Sequence, residues 1–425
     1  MNEIRTPYLI VGFSVAGLWG ARTIWQKDPE ASIVAVSDED GFYSRPLITY
    51  FLGGKSQSIE HRLKVPEGAP FTFLSGDRVE HLDTQNRMAF LRSGKKVLFD
   101  RALIATGGVP VVPPIQGLTN EGVFTFTGRR DLMAMQEFLR RTNPKRVLIL
   151  GGGFIGLKTC EAFMHLGLEI TLVELASRLL PLMLDEEASR YLEDALRKTG
   201  VQVVLKETIQ GLEGNGEKLT RATLQSGAHL PVDCAVVAVG VRPNVAWLSD
   251  SGITVRRGVV VDAFQETSQT GIFAAGDVAE TRNLLTEEWN VVAIWPEAVR
   301  QGKVAGMNMT GERIPYPGSL PLNALDLGGL ALVSAGIVNP PEGAPFEVLV
   351  RREKHAYMKV VLAEERIVGL IMLGRIEKSG LYIRLLRERI PVTEFKERLL
   401  DPRFGLVNLP REYRKSWVEG VGMEV

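Results

Sequence analysis

Hydrophobic positions along this chain follow two periods, and the places where one gives way to the other mark its units. Val147 to Leu150 is an apolar run of strand length. A helix-period pattern then runs to Gly167, and Ile170 to Val173 form a second short run ending at Glu174. Between the first run and the helix stands Gly151-Gly152-Gly153-Phe154-Ile155-Gly156. The same order opens the chain: Tyr8 to Val11, the turn Gly12-Phe13-Ser14-Val15-Ala16-Gly17, a helix pattern stopping near Asp28-Pro29, and Ser32 to Val36 followed by Asp38-Glu39-Asp40. Both stretches read as strand–turn–helix–strand units of a parallel sheet.

A gapless repeat strengthens that pairing. Residues 90–107, FLRSGKKVLFDRALIATG, align with 223–240, TLQSGAHLPVDCAVVAVG, matching Ser93-Gly94 with Ser226-Gly227, Asp100 with Asp233 and Gly107 with Gly240. Each copy predicts a hairpin turned at Ser-Gly and then a buried strand, so the chain holds two copies of one fold. A third signal, Gly271 to Ala275 and then Gly276-Asp277, predicts a short strand with Asp277 at the mouth of a helix pattern through Ala298, Gln301 and Ala305. From residue 318 onward, β runs (Phe346 to Val350, Met358 to Leu362, Ile367 to Leu373) precede a helix pattern from about Lys378.

A strand feeding a glycine turn and a helix presents free N–H groups and the positive end of the helix dipole to a phosphate. In the second unit Gly151 allows the tight turn, Gly153 lets a pyrophosphate approach the backbone, and Gly156 lets helix and strand pack closely. Glu174 stands where a carboxylate accepts ribose hydroxyls and repels a 2′-phosphate, which favours NADH over NADPH. In the first unit Ser14 replaces the middle glycine; it narrows the approach but offers a hydroxyl to a phosphate oxygen. The competing readings are a glycine-rich packing turn at 151–156 and a degenerate site at 12–17. Asp277 either caps backbone N–H groups or bonds a ligand's polyol chain.

The chain's 425 residues allow two or three domains. Its 50 basic residues balance 50 acidic ones, so net charge gives no argument for nucleic acid or an anionic membrane. No apolar run reaches the roughly 20 residues that span a bilayer, and the N-terminus lacks the features of a secretion signal; the expectation is a soluble, cytoplasmic protein. Cys160 and Cys234, far apart, exclude a disulfide framework, an iron–sulfur cluster and a cysteine zinc site within this chain. His61, His81, His165, His229 and His355 lack ligand spacing, so no metal site is expected.

With Tyr43-Ser44-Arg45-Pro46-Leu47, Ala105-Thr106-Gly107-Gly108, Gly240-Val241-Arg242-Pro243-Asn244 and Gly271 through Asp277 beside the two glycine turns, the chain resembles the FAD-dependent pyridine nucleotide–disulfide oxidoreductase superfamily over about residues 7–390. Within it the likeness is to rubredoxin and ferredoxin reductases, the flavoprotein portion of assimilatory nitrite reductase, and apoptosis-inducing factor. The resemblance implies an α/β fold with two Rossmann-like domains. The FAD domain would comprise 1–117 and 244–317, an inserted NAD domain 118–243, and a C-terminal α/β interface domain, often used for dimerisation, 318–425. FAD would meet Gly12, Ser14 and Gly17 with its pyrophosphate and Asp38 or Glu39 with its ribose. Val79 would clamp its adenine, and Arg45 would reach toward it. Ala105, Thr106 and Gly107 would pack near the flavin, Gly276-Asp277 would meet the ribityl chain, and Trp295-Pro296 would line the ring. NAD would take Gly151, Gly153, Phe154, Ile155, Gly156, Glu174 and Gly240.

Two departures stand out besides Ser14. Disulfide-reducing members carry a reactive cysteine near the position of Arg45, and this chain has none there; Cys160 and Cys234 read as core residues. Many members also pair a Glu two residues after the second turn with a Lys five residues past the first-domain arginine, where this chain has Lys158 and Tyr50. Lys158 is therefore the candidate catalytic residue, a cation near flavin and nicotinamide; the alternative is a solvated helix lysine.

Arg384, Arg387 and Arg389, and Arg351, Arg352 and Lys354, form two basic groups suited either to docking an acidic electron carrier or to a solvated face. The tail, with Phe404, Tyr413 and Trp417, suits packing on a partner or on the chain's own surface. The expected activity is an FAD-dependent NADH dehydrogenase that passes electrons to rubredoxin, ferredoxin or another iron–sulfur protein. The alternatives are an oxygen-using NADH oxidase, or a flavin-carrying relay or scaffold subunit of a larger redox complex. A homodimer and a hetero-complex both stay open.

Overall fold

The computed structural model describes residues 3–60 and 65–418; His61 and the end of the tail, 419–425, lie outside them. Strand Glu3–Val11 is the pivot of the first sheet. It pairs in parallel with Ile33–Ser37 on one side and Lys96–Ile104 on the other, and Phe71–Ser75 extends the sheet. Lys96–Ile104 has two partners along its other edge: its first residues pair antiparallel with Met88–Leu91, and its last pair in parallel with Ile272–Ala274. A strand near residue 272 thus completes a sheet begun at residue 3.

The second sheet repeats this plan around Arg146–Leu150. Glu169–Glu174 and Gln202–Leu205 lie to one side, Cys234–Val237 and Val123–Phe124 to the other, all parallel. The repeat seen in sequence is a repeat of hydrogen bonds. Gly12 N donates to Val36 O at 2.8 Å and Gly151 N to Val173 O at 2.8 Å; Ala105 N donates to Val11 O at 2.7 Å and Ala238 N to Leu150 O at 2.8 Å. Both Ser-Gly hairpins close identically, Gly94 N to Leu91 O and Gly227 N to Leu224 O, each at 2.9 Å. The chain crosses between the two sheets by Gly108–Pro110 and Val241–Pro243, which pair antiparallel.

Helix Val15–Lys27 buries nearly every apolar side chain and packs on helix Trp295–Met309 through small residues. A methyl group on Gly302 would strike the Ala16 carbonyl, so the two helices meet at backbone distance, and Trp295 packs against the cluster that holds Phe13. The sequence reading started this second helix near Asp277. It begins only at Trp295, because Ala279–Arg282 and Trp289–Asn290 first pair as a hairpin. A side chain closes the gap: Gln301 Oε1 accepts from Gly276 N at 2.8 Å.

The C-terminal sheet has the order Leu322–Leu327, Leu330–Gly336, Arg366–Leu373, Ala356–Ala363, Glu347–Glu353, all antiparallel. Its first two strands were not foreseen; they turn at Gly328-Gly329, both with positive φ, as a two-residue hairpin requires. One face, with Leu325, Leu332, Tyr357 and Ile371, shares a continuous core with the helices of the second sheet. The other, with Met358, Val360, Leu370 and Met372, is covered by helix Ser379–Arg387 and by the tail, including the fully buried Phe404.

The tail therefore packs on its own chain: Trp417 Nε1 donates to Glu388 at 2.8 Å, and the Arg384 guanidinium lies 4.3 Å from the Trp417 ring centroid. The basic groups are largely absorbed as well. Arg384 pairs with Glu388 at 2.6 Å, Arg387 points inward to Glu297 at 3.7 Å, Arg351 pairs with Glu353 at 3.3 Å and Arg352 with Glu187 at 2.8 Å. Four of these cations are thus paired within the chain, while Lys354 and Arg389 are exposed.

Candidate active site

The two glycine turns are built alike. Gly12 and Gly151 have φ of +91° and +112°, and a methyl on either would collide with the carbonyl of Ala105 or Ala238. Gly17 and Gly156, one helical turn on, press against the carbonyls of Gly12 and Gly151. Gly153 has open space where a Cβ would stand, which leaves its backbone accessible to a phosphate. Ser14 caps helix Val15–Lys27 by position but makes no side-chain capping bond to it.

A cleft of about 790 Å³ opens at the first turn, within the roughly 300–1,000 Å³ typical of cofactor and ligand sites. Of the residues expected at FAD, Gly12, Ser14, Asp38, Glu39, Arg45, Val79, Ala105, Thr106, Gly107, Gly276, Asp277 and Trp295 line it. Gly17 and Pro296 do not; Gly17 serves from behind as a packing glycine. Of those expected at NAD, Phe154 and Ile155 line the same cleft, as does Lys158, whereas Gly151, Gly153, Gly156, Glu174 and Gly240 lie outside its lining.

The two acids at the end of strand Ile33–Ser37 divide their roles. Glu39 Oε1 holds Arg45 Nη2 at 3.0 Å, and Arg45 also donates to Thr127 O at 3.3 Å. Asp38 is exposed at the cleft wall, its carbonyl fixed by Arg130 Nη2 at 2.6 Å. Arg129, next to it, is anchored on the same segment: Tyr43 OH accepts from its N–H at 2.9 Å, and its guanidinium pairs with Glu60 at 2.6 Å. Burial pushes the Asp277 carboxyl above the usual carboxylate range, against the pull of the Arg45 guanidinium. The floor is set by Thr106 Oγ1, which donates to Asn244 O at 3.1 Å, tying the two crossing segments together. A glycine turn, an exposed acid at the strand end, a half-buried carboxyl and a cleft of this volume fit a dinucleotide flavin.

On the nucleotide side, the Glu174 carboxylate accepts from Gly152 N at 2.6 Å and Ala176 N at 2.7 Å, which fixes it at the strand end with lone pairs to spare. Lys158 is only 8 % exposed, so the solvated-lysine alternative does not hold. Its ammonium donates to Tyr50 OH at 3.0 Å and to Glu161. Glu161 in turn holds Lys55 at 2.6 Å. Sequence reasoning missed Glu161 and Lys55, whose only signal was the i,i+3 spacing of Lys158 and Glu161. It also missed Trp247 and Ala324 on the cleft wall, the latter from the C-terminal sheet.

Neither cysteine reaches the cleft. Cys160 and Cys234 are buried, and burial pushes each thiol up to about 12, with the charges of Glu161 and Asp233 adding to the effect. Neither is a nucleophile near neutral pH.

Comparison with known proteins agrees with this geometry. Residues 6–302 match the pyridine nucleotide-disulphide oxidoreductase family, and 321–390 match the rubredoxin NAD+ reductase C-terminal domain. The epsilon subunit of NADH-dependent phenylglyoxylate dehydrogenase of Aromatoleum evansii is 28 % identical over 410 residues, 93 % of this chain and 95 % of that one. The ferredoxin–NAD(+) reductase subunit of the Pseudomonas putida benzene 1,2-dioxygenase system is 30 % identical, over 78 % of this chain and 81 % of its own length. Among solved structures, an NAD-dependent persulfide reductase from A. fulgidus superposes with a TM-score of 0.85 at 25 % identity, covering 92 % of this chain and 78 % of that one. With two glycine turns following parallel strands and a cleft that takes in the first turn and Phe154-Ile155 of the second, the chain belongs to the pyridine nucleotide-disulphide oxidoreductase family and is an NADH-dependent FAD oxidoreductase.

Proposed function

We propose that this chain passes electrons from NADH through FAD to a small redox protein: rubredoxin, ferredoxin or another iron–sulfur protein. The observation that carries the reading is a flavin cleft without a thiol: Arg45 stands where a redox cysteine would, and both cysteines are buried elsewhere. Electrons that reach the flavin have no protein disulfide to reduce, so they leave to an external acceptor. In the same reading FAD takes the first glycine turn, with Ser14 at its pyrophosphate, Asp38 at its ribose and Asp277 at its ribityl chain. NADH takes the second, with Glu174 at its adenosine ribose. The domain bounds are those read from the sequence, with 118–243 inserted between 1–117 and 244–317, and the protein works in the cytoplasm.

FAD, once bound, supplies the hydride acceptor and can release electrons singly. The chain's own residues bind, orient and exclude water. The glycine turns fix both pyrophosphates, Trp295 and Thr106 bound the ring site, and Phe154 stands at its nucleotide side. The hydride step needs no side-chain acid or base, so its acceleration comes from orientation. A second reading, a flavin-bearing subunit of a larger assembly, is favoured by the near full-length likeness to the epsilon subunit. Anaerobic mixing with NADH tests the first reading: rapid loss of flavin absorbance, followed by reoxidation faster with rubredoxin or ferredoxin than with oxygen, supports it. A bound flavin that ignores NADH refutes it in favour of the subunit reading.

A further inference from the structure

The ion pair missing at positions 50 and 158 is displaced rather than lost. Glu161, one turn along helix Phe154–His165 from Lys158, reaches across to Lys55, five residues past Tyr50. Four side chains form one line. Tyr50 and Lys158 stand on the cleft wall, Glu161 behind them is 8 % exposed, and Lys55 closes the line with its side chain 41 % exposed. The Lys158 ammonium lies 4.2 Å from the Tyr50 ring centroid and donates to its hydroxyl.

We infer that the Lys158 ammonium is a positive charge beside the flavin ring, its field weakened by the Glu161 carboxylate and supported by the Lys55 ammonium, and that the sum of these charges sets the flavin's reduction potential. The inference rests on the proposed placement of FAD in this cleft. Each carboxylate oxygen of Glu161 meets one ammonium, so the trio carries a single net positive charge. Burial by itself would lower the Lys158 pKa. The hydrogen bonds to Glu161 and Tyr50, with the Glu161 charge, outweigh it and keep the ammonium above its ordinary value. Burial would likewise raise the Glu161 carboxyl, but Lys158 and Lys55 hold it below its usual range. Beside the trio, His165 Nδ1 lies 2.8 Å from the Glu161 backbone carbonyl and Cys160 is a buried thiol. Reduction adds negative charge to the flavin ring, and a nearby fixed cation favours it. The cation rides on the nucleotide-binding helix, while Tyr50 and Lys55 come from the flavin-binding part, so the site's charge is assembled where the two parts meet.

The test is a redox titration of the FAD-loaded protein with dithionite and reference dyes, which reads the potential whether or not NADH reduces the flavin. Lys158→Gln is expected to shift the midpoint to more negative values, Glu161→Gln to more positive values, and Lys158→Arg to leave it near that of the natural protein. The opposite signs matter, because Lys158→Gln and Glu161→Gln break the same ion pair, and a merely structural pair would move both in one direction. Lys55→Gln, at the exposed end and least disturbing to folding, is expected to shift the midpoint the same way as Lys158→Gln. Shifts of the same sign for Lys158→Gln and Glu161→Gln, or no shift in any variant that keeps its flavin, would overturn the inference. Failure of NADH to bleach the natural protein would instead overturn the dehydrogenase reading and leave these potentials to decide the charge.

Discussion

Arg146 Nη2 lies 3.0 Å from Asp233 Oδ1, at the head of the central strand of the second sheet. The same carboxylate accepts from the backbone N–H groups of Lys145 and Arg146 at 2.9 and 3.0 Å. Burial alone would raise its pKa, but the Arg146 guanidinium and the two N–H groups hold it well below the usual carboxylate range. A carboxyl depressed in the fold stabilises above its unfolded pKa of about 3.9 and loses that contribution as pH falls below it. Asp233→Asn should cost about 2 kcal/mol at neutral pH, with a lower melting temperature. The gap to the natural protein should narrow below about pH 4.

The paired glycines separate the two nucleotide sites. Gly156→Ala pushes a methyl into the Gly151 carbonyl, and Gly17→Ala does the same at Gly12, overpacking that costs about 1–3 kcal/mol. Gly156→Ala is expected to keep a full complement of FAD yet slow NADH-driven bleaching at least about tenfold, roughly 1.4 kcal/mol of binding. Gly17→Ala is expected to purify with depleted FAD. Equal FAD content in both would contradict this division.

Glu174 bears on the choice of nucleotide. Its carboxylate is pinned by two backbone N–H groups, and on the proposed placement of NADH its charge would face an incoming 2′-phosphate. Glu174→Gln keeps one acceptor and removes the charge. The ratio of kcat/KM for NADPH over NADH should rise by about tenfold, equivalent to about 1.4 kcal/mol; steady-state assays with both nucleotides measure it.

The thiols make a fourth prediction. With both buried and pushed up to about 12, iodoacetamide at neutral pH should label neither Cys160 nor Cys234 in the folded protein. It should also leave NADH-driven flavin reduction intact. Labelling of either cysteine with loss of that activity would show a thiol in the redox path.

The twin units were legible because each is local: strand, glycine turn, helix and strand lie within about thirty residues, and the Ser-Gly turns at 93–94 and 226–227 repeat the same closing bond. The line of charges at the cleft was not, because Glu161 meets Lys55 across 106 positions and nothing local to either announces the other. The start of the helix at Trp295 was misplaced for a similar reason. The hairpin after Asp277 rests on two pairings, Thr281 with Asn290 and Arg282 with Trp289, too short to stand out as a pattern. The pairing of the basic groups near 351 and 384 was not legible either, because charge along a sequence does not show which cations the fold will set against Glu353, Glu187, Glu388 and Glu297.

The C-terminal sheet lends one face to the core of the second sheet's helices and wears the chain's own tail on the other. It is therefore not a detachable module. A chain cut before Leu322 would strip the Tyr191 ring of its Tyr357 neighbour, and a chain cut before Phe404 would uncover the rings of Tyr382 and Phe395. Any shuffling of this segment between proteins would have to carry along the matching apolar surface of the helices beneath it, so sheet, tail and nucleotide-binding helices are bound to change together.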